Sequence, residues 1–178
     1  MKMENICAGD VMIPLGQYPH IPYWFTLRQA ILELEKSEIE RDGRKSLPRA
    51  VLVFNEAYEL LGIVRRRDIL KGLEPKFLLH KPLQYRKKLF DVKVDPNLSL
   101  LSSDDLWKGV LEQAERQVSE IMSPIEHTVN FEDHIFKVIY EMNEKRMNLV
   151  PVMKGSSVVG VVRTVDIFHQ VAKMLHIA

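Results

Sequence analysis

Residues 62 to 70 read GIVRRRDIL, and residues 160 to 168 read GVVRTVDIF. Each run places an arginine three positions after a glycine and an aspartate three positions after that arginine: Arg65 and Asp68, then Arg163 and Asp166. A guanidinium grips phosphate through parallel N–H donors. A carboxylate accepts two hydrogen bonds from a diol such as that of ribose. The aliphatic residues before each arginine read as the end of a strand, so each aspartate falls in the first turn of the following helix. Backbone N–H groups are unpaired there and the helix dipole is positive, which suits an anion. An aspartate in a first turn also simply stabilises its helix, by about 0.3–1 kcal/mol. Its recurrence at one offset in both runs is what singles it out.

The elements that must position these residues are also written twice. DVMIP (10 to 14) and EIMSP (120 to 124) open the two copies. Leu27, Ala30, Ile31 and Leu34 follow helical spacing, and Ile135, Val138, Ile139 and Met142 repeat it. Next come paired apolar runs bounded by turn residues, RAVLVF and LLGIV in one copy, NLVPVM and VVGVV in the other. Each copy closes with a helix, from Asp68 to about Leu73 and from Asp166 to about Leu175. In the longer of these, Ile167, Val171 and Met174 continue a helical stripe. The order is a short strand, a helix, two strands and a helix, an α/β (α+β) pattern. Val11 and Ile121 lie 110 apart, whereas Gly62 and Gly160 lie 98 apart. The first copy therefore carries an insertion, most simply SEIERDGRKS (37 to 46), expected as a longer helix end and a surface loop.

The chain divides into a first repeat (1–73), a connection (74–118) and a second repeat (119–178). A repeat of this size alone has a marginal core, and packing two together solves that problem. The connection is expected to pack on the module and to finish in a helix capped by Ser103 or Asp104. The inner side of that helix would carry Leu106, Val110, Leu111, Ala114 and Val118.

Composition narrows the function classes. Of 178 residues, 46% are hydrophobic and 28% charged, which is ordinary globular composition, and the net charge of +1 supplies no global field for nucleic acid or an acidic membrane. Arg65, Arg66, Arg67 and Lys71 have no interleaved aromatics and read as a hydrated or phosphate-facing edge. Lys76, Lys81, Arg86, Lys87 and Lys88 read as hydrated surface. Cys7 is the only cysteine, the six histidines are scattered and no HExxH occurs, so no metal site is expected. GxSxG, GxxxxGK[ST] and GxGxxG are absent, so no catalysis is expected. Met142, Met147, Met153 and Met174 are expected as core fillers. The first twenty residues lack a signal-length apolar run, and no stretch approaches the roughly 18 residues a membrane helix needs. A cytoplasmic protein is expected.

With both copies laid out, the chain resembles a tandem pair of cystathionine-β-synthase (CBS) domains, a Bateman module. The resemblance rests on DVMIP, EIMSP, MNLVPV and the doubled glycine-to-aspartate motif. It implies two β-α-β-β-α units related by a pseudo-twofold axis, with clefts that commonly bind adenine nucleotides or S-adenosylmethionine, and modules that pair into disc-like homodimers. The motif and the resemblance together give the candidate ligand set Asp166, Arg163, Thr164, Asp68, Arg65, Ile121, Met122, Asn148, Val150, Pro151, Ala50 and Val51. The ligand would be regulatory (AMP, ADP, ATP or a relative), and no cofactor is required.

The chain departs from the family where Arg65 and Arg163 replace the usual serine or threonine. Either the arginines favour a more anionic ligand, or each folds onto its own aspartate and closes an empty cleft. The second copy keeps Pro151 and offers the Thr164 hydroxyl, whereas the first has Leu52 at the proline position and Arg66 and Arg67 at its helix start. A single nucleotide would therefore set its ribose on Asp166. With no effector domain attached, the output would pass to another protein or to self-association. The alternative is a ligand-free interaction module.

Overall fold

Thr26 shows how locally this fold is specified. Its hydroxyl accepts from the Gln29 N–H while the Gln29 side chain accepts from the Thr26 N–H at 2.8 Å, starting helix α2 at Leu27–Lys36. The helix buries Leu27, Ala30 and Leu34, three of its four stripe positions. Its counterpart α5 (Ile135–Glu144) buries Ile135, Val138 and Met142 and is capped by His134, whose Nδ1 accepts from the Phe136 N–H.

The structure is a computed structural model and describes residues 5–76 and 102–176. The remaining elements are α1 (Ala8–Val11), β1 (Ile13–Pro14), β2 (His20–Pro22), β3 (Ile39–Arg41), β4 (Arg44–Ser46), β5 (Ala50–Phe54), β6 (Leu60–Arg65) and α3 (Arg66–Gly72). The connection contributes α4 (Ser103–Ala114), and after it come β7 (Ser123–Pro124), β8 (Val129–Asn130), β9 (Leu149–Lys154), β10 (Ser157–Arg163) and α6 (Thr164–Met174).

Two four-stranded sheets face each other, in the orders β2-β5-β6-β7 and β1-β10-β9-β8. Between them lies a core of Ile13, Tyr18, Ile39, Ala50, Leu52, Phe54, Ile63 and Val161. The helices cover the outer faces, with Leu27, Ala30, Val51 and Val64 under one set and Val138, Val150, Val152 and Ile167 under the other. Strand β5 is buried along its length and β9 from Val150 to Val152, on both faces, which is why they read as apolar runs without polar alternation.

Each repeat lends its opening strand to the other repeat's sheet. β1 pairs with β10, Pro14 opposite Gly160, and β7 pairs with β6, Pro124 opposite Gly62. The two crossings match residue for residue, so the pseudo-twofold relation implied by the resemblance is present. The crossings also explain the first residue of each motif. A Cβ on Gly160 would overlap the Ile13 carbonyl oxygen, and one on Gly62 would sit 2.6 Å from the Ser123 carbonyl oxygen. Only glycine admits the incoming backbone.

Several expectations are corrected. The strand that starts each repeat's own sheet is β2 or β8, each parallel to its neighbour, while the DVMIP and EIMSP segments cross over. Residues 39–46 form a β-hairpin rather than a loop, with Asp42 and Gly43 both at positive φ in its two-residue turn. Helix α4 is capped by Ser102, one residue before the expected cap, and it buries Gly109, Gln113 and Ala114 while Leu111 stays exposed. Val118 is buried beyond the helix end. Met174 is exposed, whereas Met142 is in the core. The connection packs on α2 where described, through the Arg28–Glu115 ion pair and the Leu27 N–H to Arg116 carbonyl bond. Lys81 and Arg86 to Lys88 lie outside the described residues.

Candidate functional site

The two strand-to-helix turns form as the motif predicts, with Arg65 and Arg163 at the N-cap positions of α3 and α6. Arginine has no acceptor for a helix N–H, so only the reciprocal half of each cap exists. Asp68 Oδ2 accepts the Arg65 N–H at 2.9 Å, and Asp166 Oδ2 accepts the Arg163 N–H at 3.2 Å. The lone pairs that remain decide what else each aspartate can hold.

At the second turn they are largely taken. Arg163 Nε donates to Asp166 Oδ2 at 2.8 Å and its Nη2 donates to Oδ1 at 2.7 Å, a bidentate fork. The third guanidinium nitrogen, Nη1, donates to Ser46 Oγ at 2.9 Å. The pair is deeply enclosed, the Arg163 side chain 11% and the Asp166 side chain 5% exposed. Tyr18 lies close enough to feel both charges; burial pushes its phenol pKa up, and its OH donates to the Ala50 carbonyl at 2.9 Å.

At the first turn the geometry is open. Arg65 Nη1 stands 3.7 Å from Asp68 Oδ2, beyond hydrogen-bond length, and donates instead to Ser123 Oγ at 3.2 Å. Arg67 Nε approaches the other carboxylate oxygen at 3.8 Å. The side chains of Arg65 and Asp68 are 39% and 18% exposed. Between the two courses left open by the sequence, Arg163 has folded onto its own aspartate and Arg65 has not.

The expected ligand set divides between the turns. Ala50 and Val51 stand opposite Arg65 and Val64 in the β5–β6 ladder, and Ile121 and Met122 pack against that same half. Val150 and Pro151 stand opposite Val162 and Val161 beside the second turn. Thr164 donates through both its N–H and its hydroxyl to the Asn148 carbonyl. Thr164 and Asn148 also line a shallow groove of about 320 Å³ between α5 and α6, with Ile139, Met142, Arg146 and Ile167. Ile121 and Met122 thus sit with Asp68, and Asn148, Val150 and Pro151 sit with Asp166.

Two participants were not read from the sequence. Ser46 reaches Arg163 across 117 positions, and His169 Nδ1 accepts from Arg44 Nη1 at 2.8 Å. No local signal marks either contact. Among the described residues no group of three or more histidine, cysteine or acidic side chains could hold a metal ion, and no helix is long and apolar enough to cross a membrane.

Residues 118–173 match the family model of the CBS domain. The whole fold is that of solved CBS-domain structures. A CBS domain-containing protein of unknown function from Kribbella flavida superposes with a TM-score of 0.66 at 15% identity, covering 94% of this chain and 98% of that one. CBSX2 in complex with AMP gives 0.62 at 14% identity, covering 95% and 98%. The cytosolic domain of the Mg2+ channel MgtE in complex with ATP gives 0.59 at 18% identity, covering 94% of this chain and 49% of that one. No curated protein matches the sequence.

Proposed function

We propose that this tandem pair of CBS domains is a regulatory module, without catalytic activity, that binds an adenine nucleotide between its repeats and signals by a change of conformation or assembly. The observation that carries the proposal is the doubled turn: an aspartate held by backbone N–H beside an arginine, at matched positions of two repeats. Two proteins of the same fold are complexes with AMP and with ATP. The arginines at the serine or threonine positions favour a phosphate-rich ligand such as ADP or ATP. A ligand shifts the module only by binding one arrangement more tightly than another.

A thermal-shift panel with AMP, ADP, ATP, NADH, S-adenosylmethionine and cyclic dinucleotides tests this. A nucleotide at about 100 times its dissociation constant adds roughly 2.7 kcal/mol, a rise on the order of 5 to 10 °C for a chain this size. The rise is expected with ADP or ATP and is expected to vanish in an Asp68→Ala/Asp166→Asn double variant. No rise with any nucleotide refutes the proposal.

Self-association is the expected output. Leu70 on α3 and Phe168 on α6 occupy the same position after their aspartates and are 68% and 75% exposed. Leu32 on α2 and Tyr140 on α5 form a second matched, exposed pair. Both repeats thus present an apolar helix face, as two copies pairing into a disc require. Phe168→Glu is expected to convert a dimer to a monomer in sedimentation equilibrium; an unchanged mass rules this face out.

The closed Arg163–Asp166 pair favours the second reading, a ligand-free interaction module, for one half of the chain. Partner capture that is indifferent to nucleotide would mark it.

A further inference from the structure

The inserted hairpin β3–β4 lies against the second turn, and its contacts there are made by its own side chains. Ser46 accepts from Arg163. Arg44 donates to His169 Nδ1 on α6, and at the hairpin tip Asp42 accepts from Lys173 Nζ of the same helix at 2.6 Å. Lys173 is the first cause holding the Asp42 carboxyl below its usual pKa. On the other side Arg41 donates to the carbonyls of Asp10, Val11 and Met12, the free carbonyl end of the short helix α1. Ile39 anchors the base in the core between the sheets.

The equivalent place in the second repeat has only residues 145–148 between α5 and β9, too few for a hairpin. Among the described residues no hairpin lies at the first turn, and it is there that the arginine stands off its aspartate. Among the described residues, hairpin and closed pair therefore occur together on one side, and neither occurs on the other.

We infer that the hairpin is a built-in latch, in which Ser46, Arg44 and Asp42 hold Arg163 and α6 in place and keep the Asp166 turn shut. The ligand is then received at the Asp68 turn alone, one per chain. The latch rests on the nucleotide proposal for its ligand but not for its geometry. It also moves the single site from Asp166, where Pro151 and Thr164 had pointed, to Asp68. The proline and the hydroxyl are present, but the carboxylate they would serve already accepts three hydrogen bonds.

The test compares the parent with a latch variant, Arg44→Ala/Ser46→Ala/Lys173→Ala, whose changes spare the buried Ile39. Calorimetric titration with ATP is expected to give one site per chain in the parent, lost in Asp68→Ala and kept in Asp166→Asn, and two sites in the latch variant. Two sites in the parent, one site lost with Asp166→Asn but not with Asp68→Ala, or a latch variant still at one site each overturns the inference. If neither protein takes up ATP, the nucleotide proposal fails, and hydrogen exchange decides the latch separately. Amides of residues 163–166 exchanging at least tenfold faster in the variant support it, and unchanged exchange overturns it.

Discussion

Gly160→Ala is expected to destabilise the protein by about 3 kcal/mol, a fall in melting temperature on the order of 6 to 12 °C. The added methyl would overlap a backbone carbonyl, that of Ile13, and come within 2.8 Å of Met12 Sδ. A side chain can rotate away from such a contact. A carbonyl in a β-ladder cannot move without pulling Pro14 and Ile13 off Gly160 and Val161. That ladder joins the first repeat's opening segment to the second repeat's sheet, so the damage falls on what binds the halves together. Gly62→Ala is expected to cost a similar amount through the Ser123 carbonyl. Gly16→Ala, with nothing within 4 Å of the new methyl, serves as the control and is expected to melt like the parent. A shift below about 2 °C for Gly160→Ala would mean that the crossing strand slides freely, and the strand exchange would lose its proposed role in fixing the repeats.

The same glycine shows what could be read in advance. Its doubling, the arginine and aspartate offsets, both helix stripes and the four long strands were legible because each leaves a pattern within a dozen residues. The exchange of opening strands was not. A two-residue strand such as Ile13–Pro14 carries no periodicity, and its partner at Val161 lies far along the chain. β2 and β8 were missed for the same reason, being three and two residues long. The hairpin had one available signal, the Asp42-Gly43 pair that favours a tight two-residue turn. Its flanks, IER and RKS, bury only Ile39 and so show no alternation of apolar and polar residues. The closure of one turn and not the other depends on Ser46 meeting Arg163, a contact set by the tertiary fold alone.

That asymmetry has an energetic signature, which Arg163→Met and Arg65→Met are expected to separate. At the second turn both charges are almost fully enclosed, with Asp166 only 5% exposed. Removing Arg163 leaves a buried carboxylate with a single backbone N–H bond, and breaking a buried pair in this way costs about 3 to 5 kcal/mol. The remaining N–H bond and the helix dipole favour the lower end, about 3 kcal/mol. Replacing both partners with apolar groups, Arg163→Met/Asp166→Leu, removes the stranded charge and is expected to recover most of that loss. At the first turn the guanidinium is more than a third exposed and stands 3.7 Å from its aspartate, so solvent screens the interaction. Arg65→Met is expected to cost less than about 1 kcal/mol. Urea midpoints on the four proteins, compared at equal m-value, measure all of this. If Arg163→Met proves as mild as Arg65→Met, the second pair is open in solution and Asp166 is free to take a ligand. If it costs several times more, and the double variant recovers, Asp166 is held by its own chain and the open chemistry of this module lies at Asp68.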